Sequence, residues 1–130
     1  LLFLETIKNN EQFKVYDRIF KMTGRMELYE GFDMKRYEGL TGKYAFQNRV
    51  ATWMPSPYRG CTHLYNTRFY SFCSSLLDKH IDVLKEIFNY LGPVDLEHAM
   101  FACVPQELIV EFDKVYSKGM EASTGKWNYD

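Results

Sequence analysis

The chain has 130 residues, of which 46% are hydrophobic, 17% aromatic and 25% charged, which suits one globular domain with a buried core. Its 16 basic and 17 acidic residues leave a net charge of −1. They are well mixed, so no basic stripe points to a nucleic-acid backbone and no acidic tail is present. No apolar run approaches the roughly 20 residues of a membrane span, and no basic-then-apolar leader is seen. A cytoplasmic location without a membrane span is therefore expected. Cys61, Cys73 and Cys103 show no C-x-x-C spacing, and His63, His80 and His98 form no H-x-x-x-H pair. Reduced thiols and the absence of a metal site are expected, with a disulfide between two of the cysteines left open.

In chain order, Leu1, Leu4 and Ile7 recur at helical spacing, with Phe3 widening the stripe. They predict the end of an amphipathic helix closed by Asn9-Asn10. Phe13 and Val15 fit a second helical turn. Ile19-Phe20-Lys21-Met22 predicts a short buried strand ending at Gly24, and residues 26–42, with three glycines, predict loop with one turn of helix. Residues 43–50 alternate and predict a strand with one face inward; Met54 to Gly60 is turn chemistry, and Thr62 to Phe72 predicts a second strand.

Leu77, Ile81, Leu84, Phe88 and Leu91 mark one buried face of a helix over residues 75–91, capped by Ser75 and ended by Gly92-Pro93. A shorter helix is expected from Asp95, its N-cap, to Cys103. Residues 109–116 predict a late strand and 117–130 a poorly ordered tail. The order is that of a single α/β domain, 1–130, with a mixed β-sheet packed with helices.

The strand Ile19 to Met22 ends abruptly in Thr23-Gly24-Arg25, and ligands collect at the carboxyl ends of strands in α/β sheets. Glycine lets the backbone approach a ligand, and a neighbouring arginine can fork two hydrogen bonds onto a phosphate. The structural alternative pairs Arg25 with Glu27 or Asp33 and leaves Gly24 as a turn former.

Phe20-Lys21-Met22-Thr23-Gly24-Arg25, followed by Glu30-Gly31-Phe32-Asp33, resembles the Phe-Lys-x-(Ser/Thr)-Gly-Arg … Phe-Asp signature of glycosyltransferase-like proteins of capsule and lipopolysaccharide assembly. Leu1-Leu2-Phe3-Leu4-Glu5 resembles the remnant of a family helix, Thr67-Arg68-Phe69-Tyr70 its Thr-x-x-Tyr strand, Asp95 to Met100 its acidic-led helix, and Gly119 with Thr124-Gly125 its closing strand. The resemblance implies the later part of a GT-A nucleotide-diphospho-sugar transferase fold, in a piece truncated before Leu1 and lacking the nucleotide-binding βα segment. It implies a nucleotide-sugar donor and a glycan acceptor as partners.

Where that fold carries an acidic metal clamp, this chain has Thr23-Gly24-Arg25. Neutralisation of phosphate by Lys21 and Arg25, with no obligatory metal and no cofactor, is the resulting expectation. Sugar transfer also needs a general base. Glu97 is the better candidate and Asp95 the second, with an N-cap role as the structural alternative for Asp95, and His98 is a candidate phosphate or acceptor contact. Trp53, Tyr58, Tyr65, Phe69 and Tyr70 are candidates for a sugar-stacking floor, with strand packing the alternative for Phe69. The alternative is a non-catalytic α/β binding or interaction module, such as a viral or mobile-element accessory protein. A sheet edge left open by the absent segment would favour a homodimer.

Overall fold

The computed structural model describes residues 2–121 and 124–130. Strand β1 (Arg18–Met22) follows helix α1 (Leu2–Lys8) and a single 3-10 turn at Glu11–Phe13. Leu1, placed by the sequence at the head of the first stripe, lies outside the described residues. Strands β2 (Met26–Leu28), β3 (Tyr44–Gln47), β4 (Val50–Ala51), β5 (His63–Leu64) and β6 (Phe69–Cys73) come next. Helices α2 (Leu77–Ile87) and α3 (Leu96–Cys103), then strands β7 (Ile109–Phe112), β8 (Ser117–Met120) and β9 (Trp127–Tyr129), complete the chain.

The main sheet has the order β1-β6-β3-β7. β6 runs antiparallel to both β1 and β3, while β3 and β7 are parallel. β1, β3 and β7 therefore point the same way, and their carboxyl ends share one edge with the amino end of β6. The sheet is mixed and the fold is α/β, as the element order implies.

Alternation assigns the two faces. Tyr44, Phe46, Tyr70 and Phe72 point toward the helices, where they join Val83, Ile87, Ala99 and Met100 in the larger core. Ala45 and Phe69 point the other way, onto Tyr37, Val115, Phe20 and Phe32. Both faces of β6 are buried. The high aromatic share is spent here: Phe46 stacks between Tyr65 and Tyr70, with ring centroids 4.6 and 5.0 Å apart, and Phe20, Phe32, Tyr37 and Phe69 form an edge-to-face cluster on the opposite side.

Several boundaries differ from the sequence reading. The long helix is shorter than residues 75–91. A 3-10 turn at Ser74–Leu76 leads into it, without a side-chain cap, and its regular part ends at Ile87. Its buried positions are His80, Ile81, Val83 and Ile87, whereas Phe88 is 63% exposed and Leu91 41% exposed. The stripe fails at its end because the chain leaves the helix there, closing turns at Asn89 and Tyr90 before Gly92 turns it at φ +108°. Asp95 does cap α3, its carboxylate accepting from the His98 backbone N–H at 2.9 Å.

The predicted strand over residues 62–72 divides into β5 and β6. The predicted strands over 43–50 and 109–116 stop at Gln47 and Phe112. Residues 26–42 contain β2 as well as the expected helical turn, at Met34–Tyr37. Within the predicted tail Ser117–Met120 and Trp127–Tyr129 are strands, β8 pairing with both β2 and β9, while residues 122 and 123 lie outside the described residues. The tail's short polar strands escape detection because their apolar period is too weak to read. The partner β2 also lies some 90 residues earlier in the chain.

Candidate functional site

The edge that collects the carboxyl ends of β1, β3 and β7 is the ligand-binding edge of an α/β sheet by topology. It is joined there by Asn66-Thr67-Arg68, which lead into β6. The Thr23 N–H donates to the Arg68 carbonyl at 2.8 Å and the Asn48 N–H to the Phe112 carbonyl at 2.8 Å, so the strand pairing continues into the loops of the edge.

Lys21 is the penultimate residue of β1 and shares the helix-facing side of the sheet with Ile19. Its ammonium donates to Thr23 Oγ1 at 2.9 Å and to the Thr67 carbonyl, and lies 5.8 Å from the Tyr70 ring centre. Thr67 is buried, and its hydroxyl donates to Glu97 Oε1 at 2.7 Å. The Tyr65 N–H in turn donates to the Glu97 carbonyl at 3.2 Å, fixing the first turn of α3 against the sheet. Burial lowers the Lys21 pKa, and the Glu97 charge opposes that fall. Lys21, Thr23, Tyr70 and Glu97, four residues marked in the sequence, thus meet around Thr67.

Glu97 also borders a cleft of about 680 Å³ on the same edge. Most residues around it are polar, Gln47, Asn48, Asn66, Arg68, Asp113 and Asn128 among them, with Val50 and Leu64 adding apolar wall. Asn66 Nδ2 donates to Gln47 Oε1 at 3.1 Å, and Asn66 Oδ1 accepts from the Arg68 N–H at 2.9 Å, so two amides are held in place. Arg49, on the same wall, is committed to Glu111 at 2.6 Å, an acceptor it shares with the Tyr65 hydroxyl at 2.7 Å. Arg68 is exposed and enters no ion pair among the described residues.

The remaining candidates lie elsewhere. Asp95, His98 and Trp53 border a separate hollow of about 340 Å³ beside Gly92 and Pro93. His98 is buried with both ring nitrogens engaged, Nδ1 by Asp95 at 2.6 Å and Nε2 by Thr52 Oγ1 at 2.8 Å. Burial acts to raise the Asp95 carboxyl, but hydrogen bonds from the His98 backbone and ring hold it below its ordinary value. These contacts occupy the two residues in holding α3 to the loop after β4. Trp53 is 76% exposed and meets the His98 ring edge-on, centroids 6.1 Å apart. Tyr58 packs edge-on to Tyr90 at 6.4 Å, with the Arg59 guanidinium 5.4 Å from its ring centre.

Arg25 is exposed in the turn closed by the Met26 N–H on the Thr23 carbonyl at 2.9 Å, and its own carbonyl packs against Gly119. Neither Glu27 nor Asp33 pairs with it: Glu27 holds Lys118 at 3.0 Å, and Asp33 caps the turn that follows it. Gly24 needs no left-handed backbone, and a Cβ there would meet open space, so the fold does not require glycine at that position.

Sequence reading missed Thr67, Asn66, Gln47 and Arg68. A polar triplet, Asn66-Thr67-Arg68, interrupting an otherwise aromatic run is the signal that was available. Among the described residues no three His, Cys, Asp or Glu side chains cluster as a metal site would require, and no helix is long and apolar enough to cross a membrane. Compared with protein-family models, curated proteins and solved structures, the chain matches none.

Proposed function

We propose that the carboxyl-edge cleft binds a sugar nucleotide and a glycan acceptor, and that the chain acts as a glycosyltransferase-like domain moving a sugar between them. The observation that carries this reading is a carboxylate, Glu97, standing with Arg68 on the wall of an amide-rich cleft and linked through Thr67 to the ammonium of Lys21, which lies outside that wall. Sugar hydroxyls want such fixed amide and carboxylate partners, and tyrosine faces suit their C–H surfaces. In this reading Arg68 neutralises the donor diphosphate, with the Lys21 charge adding to the field from behind Thr67, Glu97 takes the proton of the acceptor hydroxyl, and Gly24 lets the chain approach the phosphates. The Phe20 to Arg25 resemblance supports the same assignment. Arg25, exposed on the adjacent turn, supplements Arg68 there.

Binding of UDP, GDP and their sugar conjugates, followed by thermal shift and calorimetry, tests the reading. A ligand present at 100 times its Kd stabilises by about 2.7 kcal/mol. Arg68→Ala should weaken diphosphate binding, and Glu97→Gln should spare binding while removing transfer. No stabilisation by any nucleoside diphosphate or sugar nucleotide would overturn it. A second reading, recognition of a glycan without transfer, is favoured by one feature: Thr67 already occupies Glu97 Oε1. Glycan binding without nucleotide binding, unaltered by Glu97→Gln, would select it.

A further inference from the structure

We propose that Cys73 is a reactive thiol, oxidised by hydrogen peroxide to a sulfenic acid within a cavity on the side of the sheet away from the cleft. The cavity, about 540 Å³, is lined by Arg18, Tyr37, Leu40, Thr41, Cys73 and Ser75. Cys73 ends β6 directly opposite Arg18 of β1 and immediately precedes the turn that leads into α2. The Ser75 hydroxyl donates to Cys73 Sγ at 3.1 Å.

Two further groups in the same cavity point to an incoming molecule. The Arg18 guanidinium is anchored by neutral acceptors alone, Ser71 Oγ at 2.9 Å and the Leu40 and Lys43 carbonyls at 2.7 and 3.2 Å. It enters no ion pair among the described residues, leaving its charge to a thiolate. The Tyr37 hydroxyl is buried and has no hydrogen-bond partner, in a residue only 6% exposed. Burial pushes the Tyr37 phenol up, so it stays a donor. Burial also acts to raise the Cys73 thiol, but the Ser75 hydroxyl, the Gly42 and Ser75 backbone N–H groups and the Arg18 charge bring it below the ordinary cysteine value. Asp17 and Glu38 are the other charged groups on the cavity wall. Cys61 and Cys103 are pushed the opposite way by burial, Cys103 to about 12, so one chain carries its own inert controls.

In the step, a Cys73 sulfur lone pair attacks one peroxide oxygen and forms the S–O bond. The O–O bond breaks, and the departing hydroxide takes from solvent the equivalent of the proton the thiol released on ionising and leaves as water. Sulfur loses two electrons and the peroxide gains them. Arg18 stabilises the developing negative charge, and the Tyr37 hydroxyl hydrogen-bonds the departing oxygen.

The test treats the folded chain with hydrogen peroxide, traps sulfenic acid with dimedone and quantifies each cysteine by peptide mass spectrometry. Cys73 should label at least about tenfold faster than Cys103, whose thiol is pushed up to about 12, and faster than Cys61, whose thiol burial also raises, since each unit of thiol pKa is tenfold in thiolate. Iodoacetamide rates against pH should give Cys73 a midpoint below that of a free cysteine, and Ser75→Ala and Arg18→Met should each move it upward. Should Arg18→Met fail to fold by circular dichroism, the exposed Ser75→Ala carries the comparison. Equal labelling of the three cysteines, no labelling of Cys73 in the folded chain, or a midpoint unmoved by Ser75→Ala would overturn the proposal.

Discussion

His80 makes the acid stability of this fold predictable. It lies on the buried face of α2, fully buried, its ring 4.3 Å from the Phe72 centroid and between Tyr44 and Tyr70 at 5.6 and 5.7 Å. Nε2 meets the Tyr70 hydroxyl at 3.1 Å, and Nδ1 has no partner. Burial among aromatic rings disfavours the imidazolium and pushes the pKa down to about 4. The folded value is below the unfolded one, so between about pH 6.5 and 4 the unfolded chain binds a proton that the native chain does not. Stability contributed by the neutral ring is complete above pH 6.5 and falls as the solution is acidified. From pH 7 to pH 4.5 the loss amounts to about 2–3 kcal/mol, at 1.36 kcal/mol per unit between the two pKa values.

Urea unfolding at pH 7.0 and 4.5 measures it. Asp95, whose folded pKa is lowered, loses its contribution only as the pH falls below its ordinary value of 3.8, outside this range; a variant isolates His80 from every other titrating group. His80→Gln keeps an acceptor for Tyr70 and cannot titrate. It should be less stable than the parent at pH 7, yet should lose about 2–3 kcal/mol less than the parent on going to pH 4.5. An identical acid loss in the two proteins would refute the reasoning, because something other than His80 would then be titrating.

Ile87→Ala should destabilise by about 2–5 kcal/mol, whereas Leu84→Ala, half-buried at a cleft, should fall below that range in the same urea titrations. Gly31→Ala should lose more than about 1 kcal/mol, because φ is +105° and the new methyl would stand 2.5 Å from the Tyr116 ring. Gly24→Ala should change stability by no more than about 0.5 kcal/mol, and a loss of nucleotide binding in that variant would mark close backbone approach by the ligand. Thr67→Val removes the hydroxyl bonded to Glu97 while keeping shape; it should cost about 1–2 kcal/mol and, under the proposed function, slow transfer more than it weakens binding.

The sequence carried the α/β order, the existence of α2 and the Asp95 cap because each rests on a local signal: a helical period, or a carboxylate three residues ahead of the N–H it receives. Phe88 and Leu91 continued the period of α2 in sequence after the chain had already left the helix. Periodicity reports which residues would share a face if the helix continued, and says nothing of where tertiary packing ends it. The small sheet β2-β8-β9 left no comparable trace. Gly119 pairs with Met26 across it, and its lack of a side chain, which reads locally as a loop, lets that neighbour pack: a Cβ there would stand 2.1 Å from the Met26 sulfur.

The candidate site was half legible for a reason that lies in strand parity. Thr23-Gly24-Arg25 draws attention to itself as a strand terminus, yet the link from β1 to α3 runs from Lys21 through Thr67. Side chains alternate along β1, and Lys21, opposite Tyr70 of β6, points to the helices while Phe20 points to the other core. A slip of one residue in that pairing would exchange the two, burying a phenylalanine against Glu97 and an ammonium among Phe32, Tyr37 and Phe69. The aromatic packing on both sides of β1 therefore fixes the register, and the register delivers Lys21 to Thr67 and Glu97. Asp95 and Glu97 are separated by the start of the helix: Asp95 is the extended cap whose carboxylate folds over the first turn, and Glu97 lies inside α3. One closes on His98 and the other reaches Thr67. Two acidic residues close in sequence thus end in different environments, and only Glu97 reaches the carboxyl edge of the sheet.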